Sequence, residues 1–215
     1  MSSNQAFSYL RTREWHLNLG VGGGGRGQLE LMAEDRERWS AADGQVRVIE
    51  QRPNTARSDS TTTAQVEWAP DLPHDPGQLR AYLLKGAPSP QHNVPETLVL
   101  IASVQRLHTQ AIPSGLAAAF YEILIGQPDL VARGETVDRA GRTGLGYSFE
   151  FTFGPARRLT LIFDPESKGL LATEEMLIEP GRLAVEVPAV ASYVLYLEQG
   201  RVASTDERPV AGLPG

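Results

Sequence analysis

The chain has 215 residues, enough for one large domain with a substantial core, and its 41% hydrophobic and 21% charged content excludes wholesale disorder. A formal charge of −6 without any lysine–arginine cluster argues against a nucleic-acid partner, whose phosphates call for a basic face. Cysteine is absent, which removes disulfides, thiolate chemistry and cysteine-ligated metals together.

The N-terminus, Met1–Ala6, has no basic region followed by an apolar one, so no signal peptide is read there. Phe7–Leu19 then alternates with a period of two. Phe7, Tyr9, Trp15, Leu17 and Leu19 fall on one side, and Ser8, Thr12, Glu14, His16 and Asn18 on the other, which predicts a long half-buried strand. The glycine run from Gly20 to Gly27 reads as a connector. Strand character resumes over Gln28–Trp39, and Asp43-Gly44 signals a hairpin into a strand over Gln45–Gln51. Pro53–Thr63 is polar and reads as a mobile loop, with a short strand expected around Ala64–Trp68.

From Pro70 the signals change. Asp75-Pro76 predicts an N-cap followed by proline in the first turn of a helix that stops at Gly86. Asn93/Glu96 resembles a capping box opening a second helix striped by Leu100, Val104 and Leu107. Pro113 opens a third, with Leu116, Ala119, Phe120, Ile123 and Leu124 on one side, ended by Gly126 and Pro128. The apolar run Leu98–Ala102 is far short of a membrane span, so a soluble chain is expected.

Only strands are expected after that. They are Leu130–Val137, a meander from Leu145 to Phe163 with Leu145, Tyr147, Phe149, Phe151 and Phe153 on its apolar side, then Leu170–Ile178 and Ala189–Leu197. The fold class is therefore α+β: a curved antiparallel β-sheet, a half-barrel, covered by two or three α-helices. Residues 1–203 read as a single half-barrel domain and 204–215 as a frayed C-terminal tail.

No catalytic constellation emerges. Gly20-x-Gly22-x-x-Gly25 matches the dinucleotide fingerprint in letters only, because that motif needs a helix N-terminus after it and strand character follows here. Asp164-x-Glu166-x-Lys168-Gly169 mimics a calcium loop but places a lysine where a ligand oxygen belongs, so it reads as a turn. His16, His74, His92 and His108 lack metal-ligand spacing and read as surface or capping residues. Neither a metal nor a cofactor is expected. The carboxylates Glu34, Asp35 and Glu37 read as the wet face of a strand. What remains is an aromatic set, Trp15, Trp39, Tyr147, Phe149, Phe151 and Tyr196. Singly each reads as core, and collectively they are the candidate ligand-binding residues of an apolar cavity under the helices.

Several stretches in order resemble one known family. They are Tyr9-x-Arg11-Thr12-x-x-Trp15, Glu37-x-Trp39-x-x-x-Asp43-Gly44-x-x-Arg47, Leu72-Pro73-x-Asp75-Pro76, Pro113-x-x-Leu116-x-Ala118-Ala119-Phe120-Tyr121, Val137-Asp138-x-x-Gly141-Arg142, Phe163-Asp164-Pro165 and Tyr193-x-x-Tyr196-Leu197. The family is an actinobacterial extracytoplasmic one of unknown function, usually membrane-anchored and often encoded beside sigma factors. The resemblance implies the half-barrel of the lipoprotein-carrier and sigma-regulator sensor proteins, and an extracytoplasmic location; a member naturally without the anchor would be cytoplasmic. It supplies no catalytic residues.

The expected function is a non-enzymatic binding or sensor domain holding a lipid-like ligand or a partner protein between sheet and helices. Two alternatives stand beside it. One is a small cavity enzyme of isomerase or cyclase type, for which Glu14, His16 and Glu150 are the first acid/base candidates although alternation puts all three on the polar side. The other is a structural domain mediating protein contacts.

Overall fold

Most stretches with a period of two become strands, and the three amphipathic stretches become helices. The computed structural model describes residues 6–19, 29–85, 94–152, 155–179 and 186–210. Strands β1 (Phe7–Leu19), β2 (Leu29–Ala41), β3 (Gln45–Gln51) and β4 (Ser58–Thr63) precede helices α1 (Pro76–Leu83), α2 (Glu96–Leu107) and α3 (Ser114–Ile125). Strands β5 (Val131–Val137), β6 (Thr143–Phe151), β7 (Arg157–Phe163), β8 (Leu170–Leu177) and β9 (Ala189–Val202) follow them. They form one open antiparallel sheet in the order β4-β3-β2-β1-β9-β8-β7-β6-β5. Two meanders thus meet where β1 pairs with β9. The helices connect β4 to β5, strands on opposite edges, so the chain between them must cross a face of the sheet.

Local chemistry sets the ends. The Asp75 carboxylate accepts from the Gln78 N–H at 2.9 Å with Pro76 in the first turn of α1, as the sequence predicts. Pro95 takes the N-cap position of α2; Asn93 of the expected capping box lies outside the described residues, as do the glycine run and Phe153. At the β2–β3 hairpin Gly44 has φ +92°, and a Cβ there would sit 2.5 Å from the Ala64 carbonyl oxygen, so both conformation and space demand glycine. Between Asp164 and Gly169 the carboxylate of Asp164 accepts from the N–H groups of Glu166 and Ser167, making the turn that the sequence predicts.

Two local expectations are corrected. Pro53–Thr63 is not all loop: Ser58–Thr63 is β4, in register with β3 from Gln45↔Thr63 to Glu50↔Ser58. An edge strand with every side chain exposed needs no apolar alternation, so polarity hid it, while the threonine run satisfies strand geometry. Conversely, Ala64–Trp68 is not a strand. The Ala64 N–H is taken by the Gly44 carbonyl at 2.9 Å, and the chain then leaves the sheet into a short 3-10 turn at Ala69–Asp71.

One core cluster joins Leu79 and Leu83 of α1, Leu100, Ile101, Val104 and Leu107 of α2, and Leu116 and Phe120 of α3 to Leu10, Phe149, Leu159, Leu161, Phe163, Leu170 and Tyr196 of the sheet. A second, smaller cluster lies elsewhere: Tyr9, Trp39, Ile49 and Val202. Along β1 the odd residues Tyr9 and Trp15 therefore point away from the helices, whereas Leu10, Thr12, Glu14 and His16 share the helix side. Residues 204–210, where the sequence reads a tail, cross the Tyr9–Trp39 cluster. Trp39 Nε1 donates to the Glu207 carbonyl at 2.8 Å, and Arg47 Nη1 donates to the Thr205 carbonyl and the Asp206 carboxylate. The guanidiniums of Arg47 and Arg208 each lie 5.5 Å from the Trp39 ring.

Candidate functional site

On the helix side the sheet changes character partway across. Strands β6, β7 and β9 present Tyr147, Phe149, Leu159, Phe163, Val194 and Tyr196, whereas β1 and β2 present Thr12, Glu14, His16, Arg36 and Arg38. The ladder sets these groups side by side, with Thr12 opposite both Tyr196 and Arg36, Glu14 opposite Val194, and Leu10 opposite Arg38. Helices can pack on the apolar part, but burying the charged part beneath them would strip its ions of water. A cleft of about 380 Å³ opens at that boundary. Leu10, Leu159, Val194 and Tyr196 line it from the sheet; Gln105, His108 and Thr109 line it from the end of α2.

Buried and partly buried polar contacts hold that end of α2 in place. The Ala111 N–H donates to Ser8 Oγ at 2.6 Å and the Ile112 N–H to Gln199 Oε1 at 3.1 Å, so the segment after the helix is tied to β1 and β9. Gln110 accepts from the Ala69 N–H at 3.0 Å and donates to the Glu67 carbonyl at 2.6 Å. His108 is buried, with Nδ1 donating to the Val104 carbonyl at 2.7 Å and its ring 5.6 Å from Phe120 and 5.3 Å from Tyr196. Burial pulls its pKa down to about 4, against the smaller upward pull of the Val104 carbonyl. A neutral imidazole with Nδ1 protonated leaves Nε2 as an acceptor. Burial, reinforced by the charge of Glu14, pushes the Tyr196 hydroxyl up, so it stays protonated.

The charged side of the cleft is a network. Burial opposes ionisation of Glu14, but the hydrogen bond to His16, the charge of Arg36 and the Thr12 hydroxyl outweigh it and hold the carboxyl below its usual value. Thr12 Oγ1 donates to Glu14 Oε1 at 2.9 Å, Arg36 Nη1 lies 3.4 Å from the same oxygen, and His16 Nε2 is 3.4 Å from Oε2. Arg36 Nη2 lies 2.6 Å from Glu34 Oε1 and 3.1 Å from Glu50 Oε1. Glu34 Oε1 has no hydrogen-bond donor despite that short distance, so the contact is an ion pair off the N–H axis. Glu175 is paired with Arg157. Arg38 differs: its Nε donates to Ser40 Oγ at 3.0 Å, and no carboxylate among the described residues pairs with it.

A carboxylate held ionised by cations is a weak base, so Glu14 is poorly placed to abstract a proton. No group of three or more histidine, aspartate or glutamate side chains among the described residues could hold a metal ion. The arrangement is suited to receiving a molecule with both apolar and polar parts.

The alternation reading grouped side chains correctly by face but aimed β1 the wrong way. Glu14 and His16, expected on the solvent side, line the cleft. Glu150 does not join them; it is exposed and accepts from Arg158 Nε at 2.8 Å. Of the six aromatic candidates, Tyr196 lines the cleft. Tyr147, Phe149 and Phe151 belong to or pack against the helix-side core, where Tyr147 and Tyr121 share a 2.7 Å hydrogen bond and Phe149 stacks on Phe151 at 5.8 Å. Trp39 sits in the second cluster, and Trp15 stacks on Tyr193 at 6.0 Å, paired across the β1–β9 ladder away from the helices. Sequence reasoning missed Arg36 and Arg38; His108, read as a surface or capping residue, is the C-cap of α2 but is buried. The Arg36-x-Arg38 spacing, which places both on one face of a strand, was the signal available.

No known protein family matches the chain and no curated protein matches it. Solved structures similar to it include MucB in complex with MucA(peri), at 14% identity and a TM-score of 0.38 over 97% of this chain and 56% of that one. The MucA/MucB complex of Pseudomonas aeruginosa matches at 16% identity and 0.40 over 94% and 55%, and MucB alone at 12% and 0.39 over 97% and 58%. The chain thus spans little more than half the length of each. Among the described residues no helix is long and apolar enough to cross a membrane.

Proposed function

We propose that this chain is a non-enzymatic binding domain, with the helices covering one side of a curved sheet and a lipid-like small molecule held in the cleft between α2 and strands β1, β7 and β9. The observation that carries the reading is the cleft's position. It runs from an apolar floor continuous with the main core, through Leu10, Leu159 and Tyr196, to a charged wall on β1 and β2. Its volume of about 380 Å³ falls within the range of ~300–1,000 Å³ usual for small-molecule sites. An extracytoplasmic location is part of the proposal and rests on the family resemblance.

Native mass spectrometry of protein purified without detergent tests it directly, with retained small molecules as the expected result. Thr109, exposed at the end of α2 and lining the cleft, gives the matching variant. Thr109→Trp fills the opening without touching the core and should weaken binding of a fluorescent fatty-acyl probe by about tenfold, in line with a lost ~1.4 kcal/mol. Unchanged probe affinity in that variant refutes the cleft as the site. A retained protein in place of a small molecule moves the reading to a partner-binding domain.

A further inference from the structure

We infer that the cleft selects amphiphiles with a single negative charge, seating a carboxylate-like head on Arg38 and the apolar part against Leu10, Val194 and Tyr196. This deepens the proposed function and rests on it. The cleft's two carboxylates are already engaged, Glu14 by Arg36 and His16 and Glu175 by Arg157. The outer edge of Arg36 is itself spent, Nη1 on Glu14 and Nη2 on Glu34 and Glu50, and only its buried inner Nε is without a hydrogen-bond partner among the described residues. Arg38 has only the Ser40 hydroxyl, on Nε, which leaves the outer edge of its guanidinium unpaired among the described residues, and neither of its Nη atoms is a buried orphan. A half-buried guanidinium with a free outer edge offers two parallel N–H donors, the geometry that a carboxylate fills.

Its surroundings favour an anion from two directions. Burial, and then the neighbouring charge of Arg36, pull the Arg38 pKa down, so the cation lacks the compensation that an incoming negative head would supply. The register places Leu10 directly across from Arg38, and Leu10 belongs to the main core, so a head on Arg38 has apolar surface immediately beside it. Charge number is limited by the other occupants. Glu14 lines the same cleft and Glu34 and Glu50 stand behind Arg36, so a doubly charged head meets repulsion that a monoanion largely avoids.

Three probes with the same tail separate the head-group claim from the cleft claim: decanoate, decanol and decylamine, titrated against the full chain by calorimetry or probe displacement. Decanoate should bind about tenfold or more tightly than decanol, the worth of a charge-assisted bidentate pair. Decylamine should bind least, and added salt should weaken decanoate alone. Arg38→Gln should abolish the decanoate preference, bringing decanoate down to the affinity of decanol; Arg38→Lys, which keeps the charge but loses the fork, should fall between. Equal binding of decanoate and decanol, or a preference that survives Arg38→Gln, overturns the assignment while the cleft reading stands. Failure of all three to bind the unaltered chain overturns both.

Discussion

His108 provides a sharp test of the cleft wall, because its ring is buried between α3 and β9 and its pKa lies near 4 against an ordinary 6.5. Between those values the unfolded chain binds a proton at this residue and the native chain does not. Stability attributable to His108 is therefore flat above pH 6.5 and falls as the pH drops towards 4. The full depression corresponds to about 3 kcal/mol, and the portion between about pH 7.5 and about pH 5 to about 2 kcal/mol, a window above the range where ordinary carboxylates titrate. His108→Gln retains a donor for the Val104 carbonyl and does not titrate. Urea unfolding of both proteins at the two pH values isolates the effect: the unaltered chain should lose about 2 kcal/mol more than the variant on acidification, whatever the fixed cost of the substitution. Parallel losses would show that the imidazole is reached by water or protonated in the folded state, and the burial ascribed to His108 would be wrong.

Two further outcomes follow from packing away from the cleft. Trp39 is fully buried and its indole N–H holds the Glu207 carbonyl, so Trp39→Ala should cost about 3–5 kcal/mol in denaturant unfolding. Trp39→Phe should cost about 1 kcal/mol and speed cleavage after Glu207 by a glutamate-specific protease, because that carbonyl loses the indole N–H that holds it. Arg142 pairs with the fully buried Asp138 side chain and donates to the carbonyls of Tyr196 and Leu171 at 2.6 and 2.8 Å, tying the β5–β6 hairpin to β8 and β9. Arg142→Ala leaves that carboxylate unpaired and should lower stability by about 3 kcal/mol, measured as a shift in urea midpoint at constant slope.

The cleft shows why one half of the site was legible beforehand and the other was not. Leu159 and Tyr196 stand on stretches whose apolar alternation announces a buried face, and Tyr196 was singled out with the aromatic set. Thr12, Glu14 and His16 carry the same period-two signal, but in a sequence a polar face reads as an exposed one. In the structure that polar face of β1 lies beside the apolar face of β9, because antiparallel pairing aligns faces without regard to their chemistry. His108 had no local signal at all, since its burial depends on Phe120 of another helix and Tyr196 of a strand 88 positions on.

Local pattern was sufficient for the strands other than β4, for the three helices with the Asp75 cap and the Gly126 stop, and for the α+β order, because each depends on side-chain period and backbone preference within a few residues. Tertiary structure alone decided that β1 joins β9 at the centre of the sheet and that Tyr9 and Trp39 look away from the helices. It also decided that Arg38 stands beside an apolar floor with no carboxylate among the described residues to pair with it. A period of two divides residues between two faces but does not say what each face will meet, and that is settled by which distant segments the ladder and the core bring together.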